Sequence, residues 1–249
     1  MRQYPPLPRS RLKRLSAAQS ETQFLAGRHS WLHEIGRLAR ILREFLRGLI
    51  GLRGIGPAVT VFGSARFPET NPYYRQAREV GAALAHDGYT VITGGGPGIM
   101  EAASRGAKDA GGATVGCNII LPHEQSPNAY LDRVVTFSYF FVRKVMLVKY
   151  SYAFVILPGG MGTLDELTEA ITLIQTGKLY DFPVILVGVD YWKGFMDWTQ
   201  NTLIAKGAVS EDSLGFVHLT DSAEEMLAII RKTSQGIGLK LHPIAASAD

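Results

Sequence analysis

From residue 58 onward, short apolar runs alternate with stretches of helical character, and no other feature of the sequence constrains the fold as tightly. Strands are predicted at 58–62, 90–93, 114–117, 134–137, 153–157, 184–187 and 216–218. Helices are predicted over about 72–86, 98–110, 139–150, 163–176, 191–205 and 222–232. The strand runs are largely continuous rather than alternating, the pattern of strands buried on both faces. Repeated units of this kind predict an α/β fold, a parallel sheet with helices on both faces. Ligands of such sheets bind beyond the carboxyl ends of the strands, so the loops after the strands are where chemistry is sought.

Ahead of this pattern lies a different segment. Pro5, Pro6 and Pro8 disfavour helix near the start. Trp31, Ile35, Leu38, Leu42, Phe45 and Leu49 then follow in steps of four and three, predicting an amphipathic helix with Arg37, Arg40, Arg43 and Arg47 largely off the apolar stripe. Gly51, Gly54, Gly56 and Pro57 mark a break. The chain therefore divides into a basic extension with an N-terminal helix, residues 1–56, and a main α/β domain, residues 57–249.

Charge follows that division. Residues 1–56 hold eleven Lys/Arg against three Glu, a balance of +8, while the rest holds 15 basic against 19 acidic residues, a balance of −4. The pI of about 9.2 describes the extension, and no nucleic-acid partner is inferred from it. No apolar run approaches the ~18 residues of a spanning helix. The helix stripe is read as packing on the main domain or on a neighbouring subunit rather than on an anionic membrane, because Glu34 and Glu44 dilute its basic face and its spacing is coiled-coil-like. A single cysteine, Cys117, excludes an intrachain disulfide and fits a reducing compartment; with no secretory signal read at the start, a cytoplasmic protein is expected.

Three strand-to-helix loops stand out: Phe62-Gly63-Ser64-Ala65-Arg66, Gly94-Gly95-Gly96-Pro97-Gly98-Ile99-Met100-Glu101, and Pro158-Gly159-Gly160-Met161-Gly162-Thr163-Leu164-Asp165-Glu166. Glycine lets backbone N–H groups approach an anion, and the helix that follows adds its positive end. One such loop is ordinarily a tight turn; three on one sheet edge point to a phosphorylated or otherwise anionic ligand. There is no GxxxxGK[ST]. A strict GxGxxG is also missing, since Ile99 stands where its third glycine would be, and the strand ending at Cys117-Asn118 brings no carboxylate for a ribose diol. A dinucleotide cofactor is not expected.

Two side chains are candidates for chemistry. Thr163-Leu164-Asp165-Glu166 reads as a capping box, like Ser222-Ala223-Glu224-Glu225, yet Glu166 also lies one turn into a helix opened by a glycine-rich loop, where a carboxylate faces a ligand. Arg143 sits in Tyr139-Phe140-Phe141-Val142-Arg143-Lys144-Val145-Met146-Leu147-Val148, a stretch apolar nearly all round and expected to be buried, where a guanidinium requires a partner. Lys144 is expected to snorkel. His29 and His33 lack a third ligand, so no metal site is expected; Cys117 reads as a buried apolar residue, and Ser64, outside any GxSxG, as a ligand-holding hydroxyl and amide rather than a nucleophile.

PGGMGTLDE (158–166), GGGPGIME (94–101) and FVRK (141–144) together resemble the LOG, or LONELY GUY, family over about residues 57–232. Its members are cytokinin riboside 5′-monophosphate phosphoribohydrolases, long labelled lysine decarboxylases. The resemblance implies a Rossmann-like fold, a homodimer or larger homo-oligomer with its active site near the subunit interface, and no cofactor. It implies Arg143 and Glu166 as catalytic residues, and Gly159, Gly160, Gly162 and Thr163 as the phosphate loop. Ser64, Gly95, Glu101 and Met146 match positions that line the nucleotide pocket. The implied reaction releases a free base, adenine or an N6-substituted adenine, and ribose 5-phosphate from a nucleoside 5′-monophosphate. A carboxylate beside the ribose would stabilise the developing cation and activate water. Arg143 could hold Glu166 ionised, position it or neutralise phosphate. The alternative is a non-catalytic carrier or sensor of a phosphorylated ligand, as in molybdenum-cofactor carriers; the presence of both Arg143 and Glu166 favours the enzyme.

Overall fold

A computed structural model of the chain describes Glu21, Leu25 and residues 31–121 and 126–236. The elements in order are α1 (Trp31–Gly51), β1 (Ala58–Phe62), α2 (Pro72–His86), β2 (Thr90–Thr93), α3 (Ile99–Asp109), β3 (Thr114–Ile119), β4 (Arg133–Phe137), α4 (Phe140–Lys149), β5 (Phe154–Ile156), α5 (Met161–Gln175), β6 (Val184–Val187), α6 (Val189–Trp198), β7 (Val217–Thr220) and α7 (Ala223–Gly236). The strands form one parallel sheet in the order β4-β3-β2-β1-β5-β6-β7. The chain works outward from β1 to β4, crosses back to β5, and works outward on the other side. The strand order therefore reverses between β1 and β5, which opens a crevice where their following loops diverge.

The unbroken apolar strands serve two cores. Phe62, Phe154, Ile156, Val184 and Leu186 face the layer containing α4, α5 and α6. Val59, Val61, Val155, Ile185 and Val187 face α2, α3 and α7. Period-two alternation thus sends apolar side chains to both sides, as expected of a doubly covered sheet. Helix starts follow local chemistry. The Asn71 side chain accepts the Tyr73 N–H at 2.9 Å, with Pro72 in the first helical position of α2. At α7, Ser222 Oγ accepts the Glu225 N–H at 3.2 Å, while the Glu225 carboxylate turns to the Thr220 hydroxyl instead of closing a full capping box. The stretch expected as a helix over 191–205 divides into α6 and a π-helical segment, Thr199–Ile204, a change of backbone pitch that apolar spacing does not signal.

One expectation about helix faces is narrowed and another corrected. The stripe of α1 does not pack on its own domain: Trp31, Ile35, Leu38, Leu42 and Leu49 are exposed, and only Phe45 joins the core. The docked face is the other one. There Glu44, buried, accepts the Ser138 N–H at 2.9 and 3.0 Å and the Tyr139 N–H at 3.3 Å, while Gly48 allows so close an approach that a Cβ would lie 2.9 Å from the Met146 side chain. Arg37, also buried, pairs with Glu34 at 2.8 Å. Satisfied polar groups and a glycine contact seat this helix, and neither shows in a stripe of hydrophobicity. Helix α4, expected to be buried all round, buries Val142, Met146 and Leu147 but leaves Phe140, Phe141 and Val145 exposed, because only one of its sides meets the sheet.

Candidate active site

A cleft of about 610 Å³ opens at the switch point. It is lined by the loop after β1 (Gly63, Ser64, Arg66), the loop after β2 (Gly94, Gly96, Met100), the end of β3 (Asn118, Ile119), the start of α4 (Phe140, Arg143) and the start of α5 (Gly160, Met161, Gly162, Thr163, Asp165, Glu166). Ser64 ties the three glycine loops together. Its N–H donates to the Pro158 carbonyl at 3.0 Å, its carbonyl accepts the Ile99 N–H at 3.0 Å, and its hydroxyl accepts the Arg66 N–H at 3.1 Å. The amide that the sequence offers to a ligand is thus committed to the neighbouring loop.

Helix α5 begins at Met161 with Gly160 as its N-cap, so Thr163 lies inside the first turn and does not cap it. The capping-box reading of Thr163 and Glu166 is therefore set aside. The Gly160 carbonyl accepts the N–H groups of Thr163 and Leu164 at 3.0 Å each. Among the described residues, the N–H groups of Gly160, Met161 and Gly162 find no protein acceptor, and they lie at the positive end of the helix. All three residues line the cleft, an arrangement chemically suited to an anion.

Glu166 is buried, 6% exposed, on the inward side of α5. Burial pushes its carboxyl up to about 7, against the lowering pull of Arg143 first and Lys144 second. No hydrogen bond to its carboxyl is found among the described residues, so the group is open to the cleft. Arg143, half-buried, reaches the same cleft from α4, and its Nε donates to the Cys117 carbonyl at 2.8 Å. Desolvation lowers its pKa, while the charge of Glu166 raises it. A side chain at position 94 would occupy the space of the Arg143 guanidinium, which gives that loop glycine a packing reason. Lys144 joins the two helices, its Nζ meeting Asp165 at 2.8 Å and Glu169 at 2.7 Å.

Six of the residues singled out from sequence thus line the cleft together: Ser64, Arg143, Gly160, Gly162, Thr163 and Glu166. Four do not. Gly159 is buried behind the loop, Gly95 is buried in a positive-φ turn (φ 74°), and Glu101 turns to α2, where Tyr74 donates to it at 3.1 Å. Met146 lies in the core against α1. Cys117 is buried and its thiol is pushed up to about 12, the behaviour of an inert core residue. His29 lies outside the described residues, as does the His33 side chain; among the described residues no cluster of three His, Cys, Asp or Glu could hold a metal. Arg66, Met100, Asn118, Phe140 and Asp165 line the cleft without having been singled out. Asn118 was legible in principle, because it ends a parallel strand, where ligands of this architecture bind.

Fold and cleft define a Rossmann-like α/β protein with a glycine-lined cleft at its switch point. Residues 100–230 match the protein family described as "Possible lysine decarboxylase". A cytokinin riboside 5′-monophosphate phosphoribohydrolase of Mycobacterium tuberculosis is 35% identical over 156 residues, covering 61% of this chain and 81% of its own. Among solved structures, the protein TM1055 superposes with a TM-score of 0.56 at 30% identity, over 71% of this chain and 99% of that one. The molybdenum cofactor binding protein of the phototrophic bacterium Rippkaea orientalis gives 0.51 at 25% identity, over 71% and 96%. The chain belongs to the LOG family of phosphoribohydrolases, the group that carries the older lysine decarboxylase description.

Proposed function

We propose that the protein hydrolyses the N-glycosidic bond of a nucleoside 5′-monophosphate, releasing ribose 5-phosphate and a free base, adenine or an N6-substituted adenine. The observation that carries this reading is Glu166: a buried carboxyl, open to the cleft and raised towards neutrality, one turn beyond an anion cradle. With the 5′-phosphate on the N–H groups of Gly160, Met161 and Gly162, the ribose lies toward Glu166. Water oxygen bonds to C1′ as the C1′–N bond breaks; the base leaves with the bonding pair and takes up a proton. The Glu166 carboxylate stabilises the positive charge building on the ribose and accepts a proton from the attacking water. Arg143 favours the ionised form of Glu166 and completes the electrostatics of the cleft.

The protein is further proposed to be cytoplasmic and to act as a homo-oligomer without a cofactor or a nucleic-acid partner. The outward apolar ridge of α1 supports association, since contiguous exposed apolar surface ordinarily marks an interaction site. Among the described residues no helix is long and apolar enough to cross a membrane.

The test is direct. Purified protein is incubated with AMP and with an N6-substituted AMP while free base is followed. Base release is expected, with a loss of at least about a hundredfold in Glu166→Gln that leaves nucleotide binding intact. Nucleotide binding without base release by the unaltered protein would instead place it among carriers of phosphorylated ligands.

A further inference from the structure

We propose that Tyr191 is a positioning residue for the phosphate loop and sets how strongly the protein holds a ligand's 5′-phosphate; the inference rests on the nucleotide reading of the cleft. The carbonyls of Pro158 and Gly160 are taken by backbone donors, Ser64 for the first, Thr163 and Leu164 for the second. The carbonyl between them, of Gly159, is taken by a side chain from another element: the Tyr191 hydroxyl on α6 donates to it at 2.7 Å. In a trans peptide the C=O and the next N–H point in opposite directions. Holding the Gly159 carbonyl back against α6 therefore fixes the Gly160 N–H on the opposite side, and Gly160 lines the cleft. Between two glycines this peptide would otherwise turn over at little steric cost, presenting a carbonyl to an anion.

The tether is itself braced. The Tyr191 ring packs edge-on against Trp192 at 5.1 Å and Tyr73 at 6.2 Å, and Tyr73 stacks on Phe67 at 5.9 Å. Phe67 directly follows the Ser64-Ala65-Arg66 loop, so one aromatic chain steadies two of the glycine loops. The start of α6 is pinned by Asp221, which accepts the N–H groups of Gly188 and Val189 at 3.0 Å each. Tyr191 thus stands on a fixed base and acts on the ligand only through Gly159.

Tyr191→Phe keeps the ring and deletes the donor. Binding of ribose 5-phosphate and of adenine is measured by calorimetry, alongside steady-state hydrolysis of AMP. Affinity for ribose 5-phosphate is expected to fall about 5- to 10-fold, the range for one lost hydrogen bond, and KM for AMP to rise alike, while kcat and adenine binding stay unchanged. A variant that holds ribose 5-phosphate as well as the unaltered protein, or weakens adenine to the same degree, overturns the inference. Failure of the parent reading looks different: the unaltered protein would then bind ribose 5-phosphate but release no base from AMP.

Discussion

The carboxyl of Glu166 and the guanidinium of Arg143 face one cleft from two helices, α5 and α4, each altering the other's ionisation without closing a direct ion pair. A closed pair would hold the carboxylate low and spent. An open one leaves it near 7, able to exchange a proton at physiological pH, and leaves room for a ligand between the partners.

The pH dependence follows from that value. Acting as a base, Glu166 must be ionised, so kcat/KM should rise with pH to a plateau above about 7. Stability should move the other way. A carboxyl whose pKa is raised in the folded state binds more protons folded than unfolded, so its contribution is full below the ordinary value of 4.5 and is lost as pH rises through about 7. The loss is at most about 3 kcal/mol. Denaturant titrations of the unaltered protein and Glu166→Gln across that window check it, the glutamine variant lacking this component of the fall.

Lys144→Met removes the ties to Asp165 and Glu169, and with them a cation that lowers the Glu166 pKa. The midpoint of the kcat/KM profile should shift to higher pH, and activity at neutral pH should fall by about 3- to 10-fold. An unmoved midpoint in the pH–rate profile would show that Lys144 serves only to join the helices.

Gly159→Ala tests the packing behind the loop. An added Cβ would meet the Thr163 side chain and lie 3.0 Å from the Ser64 amide nitrogen, which crosses to Pro158. The loops must part to admit it. KM for AMP should rise by about tenfold or more and stability fall by about 1–3 kcal/mol, read by kinetics and by thermal unfolding.

Leu38→Glu with Leu42→Glu places charge on the outward ridge of α1 without touching its docked face. If that ridge joins subunits, the solution mass should fall while the fold persists, as measured by light scattering and circular dichroism. An unchanged mass would assign assembly to another surface.

Much of this protein was legible in its sequence. Most of the predicted strands and helices from 58 onward lie within two residues of their place, because strands buried on both faces need unbroken apolar runs and their helices begin at Asn71-Pro72, Gly160 or Ser222 whatever the tertiary context. The three glycine loops were legible for the same reason: a missing Cβ is a local fact. Less visible was the use made of each group. The Ser64 amide, offered to a ligand by its loop, is bound to Pro158, and Glu101, next to the cleft residue Met100, and Met146, on the same helix as Arg143, turn away to Tyr74 and to α1.

What the amino-acid order alone determined is the α/β pattern, the glycine turns at the sheet edge, and the presence of one arginine and one glutamate in unusual settings. Only the tertiary structure decided that those two share a cleft, that Tyr191 reaches back to Gly159, and which face of α1 docks. The physical reason is range. Backbone conformation answers to neighbours a few residues away, whereas ionisation, burial and orientation answer to whatever the fold brings within a few ångströms, across separations that sequence spacing does not encode.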